Sequence, residues 1–253
     1  SSINKDWQER AQKISMYVGP KEIEFALLSI ESNMGLIRTM VTSRNPSFNE
    51  YNRVTSSIRP LGSTFKIIPY AAALREGTKL SDKFEDLPTC WENYCPKNFA
   101  EKYRGKISLV ESFKSSSNIV PISITKKIGL KNIINLANKF GLGYKQELEE
   151  VPSLAIGSYG DNLLNITNAY SAINNNGMIQ IPSILEKIES FKNQSIWENK
   201  FTYKKILDSK VNKKMNKLLE QSVKEGTSKA ASIKGKKIYG KTGTSDGNKD
   251  LWF

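Results

Sequence analysis

The order of apolar patterns along this chain predicts a fold of the α/β (α+β) class, which mixes helices with antiparallel strands. Residues 3–18 place apolar side chains at three- and four-residue steps, which indicates an amphipathic helix that ends at Gly19-Pro20. Residues 24–30 and 36–42 flank a short segment that ends in Gly35, and this pattern predicts a β-hairpin. The other predicted elements are helices over 63–75, 107–117, 121–129, 131–140, 162–176 and 210–224, a long surface excursion over 78–105, and a strand over 238–244.

The length and composition indicate one main globular domain. The chain has 253 residues, of which 38% are hydrophobic and 25% are charged. No apolar run approaches the roughly 18 residues that a membrane span requires. No signal sequence or anchor is recognisable at Ser1, so we expect that any targeting segment has been removed or lies outside this sequence.

The chain contains no histidine, which excludes several kinds of site. A Ser-His-Asp or Cys-His catalytic unit and a zinc site with histidine ligands all need an imidazole. Two cysteines, Cys90 and Cys95, are too few for a four-cysteine zinc site. They are equally compatible with a disulfide in an oxidising compartment or with two inert thiols. We therefore expect no metal and no cofactor.

The net charge of +13 favours an anionic partner or surface. The lysines are scattered, however, and no nucleic-acid motif or interleaved aromatic pattern accompanies them. We therefore expect a solvated basic face and no nucleic-acid binding. Anionic lipid headgroups or an anionic cell-wall polymer would match the same charge.

Three S-x-x-K quartets occur, and their context separates them. They are Ser2/Lys5, Ser63/Lys66 and Ser123/Lys126, about as many as chance predicts. Only Ser63 follows a glycine at the predicted start of a largely apolar helix, where Lys66 would lie one turn further on. The simpler interpretation of an isolated quartet makes the serine a helix N-cap and the lysine a surface residue.

Two further motifs favour a catalytic interpretation of Ser63. Ser116-Ser117-Asn118 begins 53 positions after Ser63, and Lys241-Thr242-Gly243, which occurs once, begins 125 positions after Ser116. With these three elements the chain resembles the penicillin-binding serine D,D-transpeptidases. The segments that resemble the bifunctional class A subgroup are 52–53, 59–66, 70–74, 96–99, 103–105, 153–158, 169–170, 175–177 and 240–253.

The resemblance implies a fold and a chemistry. The fold would be an antiparallel sheet flanked by helices, with an all-helical subdomain, as in β-lactamases and transpeptidases. Ser63 would be the nucleophile and Lys66 its base, while Ser116 and Lys241 would complete the catalytic group. A lysine base needs its pKa lowered by roughly three units, equivalent to about 4 kcal/mol, which burial beside Lys241 would provide.

The substrate-binding residues implied by the resemblance lie beside the catalytic ones. Asn118 would hold the substrate amide, while Thr242 and Thr244 would bind its terminal carboxylate. Gly243 would let the substrate backbone lie against the strand. The backbone N–H groups of Ser63 and Thr244 would form the oxyanion hole. The implied ligands are peptidoglycan stem peptides ending in D-Ala-D-Ala, and β-lactams.

Two other functions compete with this interpretation. One is a serine β-lactamase, since residues 63–67 also resemble class D enzymes. Class D enzymes, however, have S-x-V as the second element, and residues 147–150 lack the pattern around the class A glutamate. The other is an inactive or β-lactam-sensing fragment, because the resemblance implies two more strands and a helix after the K-T-G strand. We expect residues 1–20 to form a linker with an N-terminal helix, and residues 21–253 a C-terminally incomplete transpeptidase domain that is less stable and less active than an extended one.

The resemblance also implies a location. Family members face outward from the bacterial cytoplasmic membrane, so we expect the cell envelope, with membrane attachment through a segment outside this sequence. The glycan-polymerising domain of class A relatives is not in this sequence, so no glycosyltransferase activity is expected from it.

Overall fold

The structure is a computed structural model that describes residues 1–44, 51–144 and 146–253, without the side chain of Asp246. Its α-helices are α1 Lys5–Tyr17, α2 Arg53–Ser56, α3 Ile67–Arg75, α4 Leu109–Lys114, α5 Ile119–Ile128, α6 Leu130–Lys139, α7 Leu163–Asn174 and α8 Ser209–Glu225. Its strands are β1 Leu27–Glu31, β2 Leu36–Val41, β3 Arg59–Pro60, β4 Lys83–Asp86, β5 Gly105–Ser108, β6 Gly160–Asp161, β7 Met178–Ile179, β8 Lys187–Glu189, β9 Ser195–Glu198, β10 Lys204–Lys205, β11 Gly243–Thr244 and β12 Leu251–Trp252.

The chain forms two compact units. The first contains Ser1–Ile58, Phe140–Leu142 and Asp161–Leu207, and the second contains Arg59–Lys139, Gly143–Gly160 and Asp208–Phe253. In the first unit, β1 and β2 form an antiparallel hairpin that packs against α1 and α7. The hairpin turns through Gly35, whose φ of +71° lies in the left-handed region that glycine adopts without strain. This unit also contains the antiparallel pairs β7–β10 and β8–β9.

The second unit is organised around α3. Residues 67–74 of this helix are all buried, and the helix packs against α5, α6 and α8. Such a helix is apolar on every side because no face of it meets solvent. The strands β4 and β5 form an antiparallel pair beside α4, and β11 pairs with β12. The helix α3 thus fixes the residues that precede it against the core.

The predicted α/β (α+β) fold class is confirmed. The helices over 3–18, 121–129, 131–140, 162–176 and 210–224 and the first hairpin occur within a few residues of their expected positions. The pairs β1–β2, β4–β5, β7–β10, β8–β9 and β11–β12 are antiparallel. Isolated bridges join Leu36 to Ser183 (parallel) and Trp91 to Tyr94 (antiparallel).

Three expected elements differ from the structure. The excursion over 78–105 contains β4, and the helix expected from residue 107 starts at Leu109, because residues 107–108 pair with β4. The strand expected over 238–244 is restricted to Gly243–Thr244. The Gly240 N–H donates to the Leu219 carbonyl (3.4 Å), and the Thr242 N–H donates to Ser228 Oγ (3.1 Å), so these amides do not enter a ladder.

Cys90 and Cys95 form a disulfide, which decides between the two alternatives that the sequence left open. The bond closes a tight loop in which the Trp91 N–H donates to the Tyr94 carbonyl at 2.8 Å. This loop lies in the connection between β4 and β5. Within the described residues, no helix combines the length and the hydropathy that crossing a bilayer requires.

Candidate active site

Ser63 lies on a short 3₁₀-helix, Gly62–Lys66, that leads directly into α3. Ser63 is half-buried, whereas Lys66 is completely buried, with 0% of its surface exposed. No side chain caps the 3₁₀-helix, and Ser63 Oγ accepts a hydrogen bond from Ser116 Oγ instead. The interpretation of Ser63 as an N-cap with a surface lysine is therefore wrong.

The other two S-x-x-K quartets have no such surroundings. Ser2 is buried, but its hydroxyl donates to the Ile37 carbonyl at 2.7 Å, and Lys5 is exposed on α1. Ser123 and Lys126 are exposed residues of α5. Of the three serines, Ser63 alone lies beside a buried lysine of its own quartet.

Ser116 occupies a tight turn at the end of α4. Its φ of +58° is unusual for a residue other than glycine and costs of order 1–3 kcal/mol. Two backbone hydrogen bonds hold the turn, from the Ser116 N–H to the Phe113 carbonyl (3.0 Å) and from the Ser117 N–H to the Ser112 carbonyl (2.9 Å). The turn points Ser116 Oγ at Ser63 Oγ, 3.1 Å away.

Two buried lysines converge on Ser116. Lys66 Nζ donates to the Ser116 carbonyl (2.8 Å), to Ser116 Oγ (3.3 Å) and to Asn118 Oδ1 (2.6 Å). Lys241 Nζ donates to Ser116 Oγ (2.8 Å) and to the Thr242 carbonyl (2.9 Å). Ser63 and Ser116 are 53 positions apart in the sequence, and Ser116 and Lys241 are 125 positions apart. The structure brings these three residues together with Lys66.

Ser116 Oγ is the common atom of this group. It lies within hydrogen-bond distance of Ser63 Oγ and of both lysine nitrogens. Among the hydrogen bonds of the described residues, none joins Lys66 directly to Ser63. A hydroxyl can donate one hydrogen bond while it accepts others, so Ser116 can pass a proton between Ser63 and either amine.

Burial changes the protonation of both lysines. It lowers the pKa of Lys66 well below its ordinary value, with the nearby charge of Lys241 as the second cause, and the charge of Asp86 opposes the shift. Burial alone lowers the pKa of Lys241 to about 7. Lys241 is 1% exposed, so water cannot stabilise its ammonium form. Burial therefore favours the uncharged form of both amines beside Ser116, and a lysine base needs a pKa lowered in this direction.

The K-T-G segment runs past the 3₁₀-helix of Ser63. Gly243–Thr244 pairs with Leu251–Trp252 in the antiparallel β11–β12 ladder. A Cβ on Gly243 would lie 2.8 Å from both the Leu61 carbonyl oxygen and Thr64 Cγ2. The close approach of the strand to the 3₁₀-helix of Ser63 is thus an additional reason for glycine at this position. Thr244 is exposed and Thr242 is half-buried.

Gly62 and Gly157 make contact through their backbones. Gly62 has a φ of +51°, and a Cβ there would overlap the Thr244 carbonyl oxygen. Gly157 has a φ of +84°, and a Cβ there would overlap the Gly62 carbonyl oxygen. The Gly62 N–H donates to the Gly157 carbonyl at 2.9 Å. Gly62, the residue before Ser63, is therefore enclosed by main chain on two sides.

Several residues that contact the site had no recognisable sequence signal. Thr242 Oγ1 donates to Thr227 Oγ1 (2.9 Å), and Ser228 Oγ accepts the Thr242 N–H. Asp86 and Asn98 form hydrogen bonds to the Ser117-Asn118 part of the turn. Asn98 lies in a segment that carried the family resemblance, but neither its residue type nor its spacing indicated this contact.

The acidic residues considered for a β-lactamase lie on the surface. Glu147, Glu149 and Glu150 are exposed, as expected for an acidic surface loop. No group of three or more cysteine, aspartate or glutamate side chains in the described ranges could hold a metal ion.

Comparisons with known proteins identify the family of this chain. A profile of the penicillin binding protein transpeptidase domain matches residues 30–250. Penicillin-binding protein 1A of Rickettsia prowazekii is 28% identical over 92% of this chain and 33% of its own length, so the chain spans about a third of that relative.

Two solved structures share the fold. Penicillin-binding protein 1A of Haemophilus influenzae superimposes with a TM-score of 0.81 at 24% identity, over 88% of this chain and 40% of that one. Penicillin-binding protein A of M. tuberculosis, solved as an imipenem acyl-enzyme complex, gives a TM-score of 0.84 at 22% identity, over 97% of this chain and 67% of that one. Because the family profile covers most of the sequence, the chain belongs to the penicillin-binding protein transpeptidase domain family.

Proposed function

We propose that this chain cross-links peptidoglycan stem peptides through an acyl-enzyme on Ser63 and that β-lactams acylate the same residue. The observation that supports this most is the contact of Ser116 Oγ with Ser63 Oγ and with two buried lysines whose pKa values are lowered. Without histidine in the sequence, an uncharged lysine is the base best suited to activate a serine here.

In the acylation step, Ser63 Oγ attacks the carbonyl carbon of the penultimate D-Ala. Its proton passes to Ser116 Oγ, and the hydroxyl proton of Ser116 passes to the neutral Lys66 Nζ. The bond between that carbonyl carbon and the terminal D-Ala nitrogen then breaks, and the nitrogen receives a proton from Lys66 or Lys241 through Ser116. When Lys66 is the donor of this proton, Lys66 returns to its uncharged form.

In the second step, an amine from a neighbouring stem peptide attacks the ester carbon on Ser63. The new amide bond forms as the ester bond to Ser63 breaks, and Ser63 Oγ recovers a proton from the attacking amine through Ser116. Water in place of the amine would release a free carboxylate, which is the carboxypeptidase reaction. Backbone N–H groups of Ser63 and Thr244 would stabilise the oxyanion in both steps.

The substrate would be held by groups beside the catalytic residues. The Asn118 side chain would bind the substrate amide. Thr242 and Thr244 would bind the terminal carboxylate together with Lys241 in its protonated form. Gly243 leaves room for the substrate backbone along the strand.

Residues 21–253 would form the transpeptidase domain, and residues 1–20 would form the linker that precedes it. We place the protein in the cell envelope on the outer face of the cytoplasmic membrane, with attachment to the membrane outside this sequence, and the Cys90–Cys95 disulfide is compatible with that compartment.

Fluorescent penicillin added to the purified chain tests the proposal. We expect persistent labelling that the Ser63→Ala substitution abolishes and the Ser123→Ala substitution leaves unchanged, because Ser123 belongs to an exposed S-x-x-K quartet. Transient labelling with hydrolysis of the drug would instead indicate a serine β-lactamase, and no labelling of the wild-type chain would contradict acylation altogether.

A second assay separates cross-linking from penicillin binding alone. A pentapeptide that ends in D-Ala-D-Ala is incubated with the chain and an acceptor D-amino acid. We expect release of D-Ala and formation of the exchanged peptide, both lost in the Ser63→Ala chain. Labelling without either product would indicate a β-lactam sensor.

A further inference from the structure

A buried carboxylate lies behind the Ser116–Asn118 turn. Asp86, at the end of β4, has no exposed surface and accepts three hydrogen bonds. They come from Ser117 Oγ (2.6 Å), Asn98 Nδ2 (2.9 Å) and the Arg104 N–H (3.1 Å). A buried carboxylate is costly unless it is well hydrogen-bonded, so this group is satisfied by neighbours on three different segments.

Asn98 extends the network from Asp86 to the turn. Its Oδ1 accepts the Asn118 N–H at 2.7 Å, and its Nδ2 donates to Asp86 and to the Lys102 carbonyl (3.0 Å). The neighbouring Lys97 carbonyl accepts a hydrogen bond from Asn118 Nδ2 at 2.6 Å. Both the backbone and the side chain of Asn118 are thus held by residues 97–98, which follow the loop closed by the Cys90–Cys95 disulfide.

The network continues to the proposed base. Asn118 Oδ1 accepts a hydrogen bond from Lys66 Nζ, so the loop fixes the amide that orients this amine. Ser117 Oγ, held by Asp86, also accepts the N–H groups of Ile119 and Val120 and so caps α5. The left-handed φ of Ser116 is unfavourable in itself and needs such support on its C-terminal side.

We propose that Asp86 and Asn98 are positioning residues that hold the Ser116–Asn118 turn, and through it Lys66, in the geometry for acylation. The proposal rests on the acylation of Ser63 proposed above. Among the hydrogen bonds of the described residues, none joins Asp86 or Asn98 to Ser63, so both act through the turn.

Asp86 has a second effect, through its charge. The Asp86 charge acts on Lys66 and on Tyr70, whose hydroxyl donates to Ser112 Oγ at 2.9 Å, and the Lys241 charge also acts on Lys66. The Arg104 backbone borders Asp86 on its other side. The Asp86 charge raises the pKa of Lys66, against burial and Lys241, which lower it. Lys66 acts as a base only when it is neutral, so acylation rises with pH through its pKa. Removal of the Asp86 charge lowers that pKa, and the acid limb of the pH profile moves to lower pH.

The test measures the acylation rate constant and the penicillin dissociation constant separately, on the full chain, from about pH 5 to pH 9. For Asn98→Ala we expect an acylation rate constant lower by about 10- to 100-fold and a nearly unchanged dissociation constant, because misplaced catalytic groups slow the chemical step. For the isosteric Asp86→Asn we expect a slower rate at its maximum and an acid limb displaced to lower pH. A role confined to general stability would not displace that limb.

The matched control is Asp161→Asn. Asp161 is also fully buried and accepts hydrogen bonds from the Asn162 N–H and from Asn165 Nδ2, both at 2.8 Å, but its charge is not among those that shift the pKa of Lys66. We expect this substitution to leave the acid limb in place. Circular dichroism checks the folding of each variant, and if Asp86→Asn unfolds, Asn98→Ala carries the test, because Asn98 lies outside the helices and strands.

The outcomes separate the two proposals. Wild-type labelling that Ser63→Ala abolishes, together with wild-type rates in Asn98→Ala and an unmoved acid limb in Asp86→Asn, would overturn the positioning role and leave the proposed function intact. Loss of the proposed function would appear as absent labelling in the wild-type chain itself.

Discussion

The substitution Lys241→Met should stabilise the protein at neutral pH and destabilise it at high pH. Burial lowers the pKa of Lys241 from 10.5 to about 7, and its side chain is 1% exposed. The folded state therefore binds fewer protons than the unfolded state between these two values. The contribution of Lys241 to the free energy of unfolding of the wild-type chain therefore rises with pH between about pH 7 and pH 10.5. Burial of Lys241 destabilises the folded state most below about pH 7.

The magnitude follows from the pKa difference. Each pH unit corresponds to about 1.4 kcal/mol, so placing Lys241 in the folded protein costs about 4 kcal/mol at pH 7 and about 1 kcal/mol at pH 10. Methionine has a similar length and no charge, but it loses the hydrogen bonds to Ser116 Oγ and the Thr242 carbonyl, about 1 kcal/mol each. The variant should be more stable than the wild type by about 2 kcal/mol at pH 7 and less stable by about 1 kcal/mol at pH 10.

Urea unfolding of both chains at the two pH values measures this difference. Lys213→Met, at an exposed position of α8, is the control and should change the free energy of unfolding by less than about 0.5 kcal/mol at either pH. The reasoning is refuted if Lys241→Met is less stable than the wild type at pH 7, or if its difference from the wild type is the same at both pH values.

Three further substitutions test the site and the loop beside it. The substitution Lys66→Arg keeps a hydrogen-bond donor, but arginine cannot lose its proton and so cannot act as a base. The rate of labelling by fluorescent penicillin should fall at least about 100-fold at every pH. The wild-type rate should instead rise with pH through the lowered pKa of Lys66. Gly243→Ala places a Cβ 2.8 Å from Leu61 and Thr64, and denaturant unfolding should show a loss of about 1–3 kcal/mol; wild-type stability would mean that the strand can move away. Replacing both Cys90 and Cys95 by serine opens a loop of six residues, and the same measurement should show a loss of about 2 kcal/mol, whereas an unchanged midpoint would mean that the loop is held by its other contacts.

The sequence predicted helices better than strands, for a physical reason. Apolar side chains three and four residues apart define a helix locally, and residues 162–176 were predicted close to α7, Leu163–Asn174. A strand depends on a partner elsewhere in the chain. The strand expected over 238–244 was too long because its amides at 240 and 242 bond to Leu219 and Ser228. The strand β4, Lys83–Asp86, was missed because it has three charged residues among four.

The candidate site divides in the same way. Ser63, Lys66, Ser116 and Lys241 belong to short motifs whose spacing and context carry the family resemblance, so the sequence could nominate them. Asp86 carries no such mark, because a carboxylate in a charged segment is expected at the surface. Its burial follows from hydrogen-bond partners at positions 98, 104 and 117, which come together only in the folded chain.

The close main-chain contacts at Gly62, Gly157 and Gly243 restrict which residues these positions can accept. At each of these positions a side chain would collide with main-chain atoms, and a backbone cannot be replaced by substitution. Substitutions at these three positions should therefore destabilise the main chain around Ser63. Under the proposed acylation of Ser63 by β-lactams, substitutions that weaken acylation while the fold is kept should lie at positions where side chains can vary without displacing Ser63.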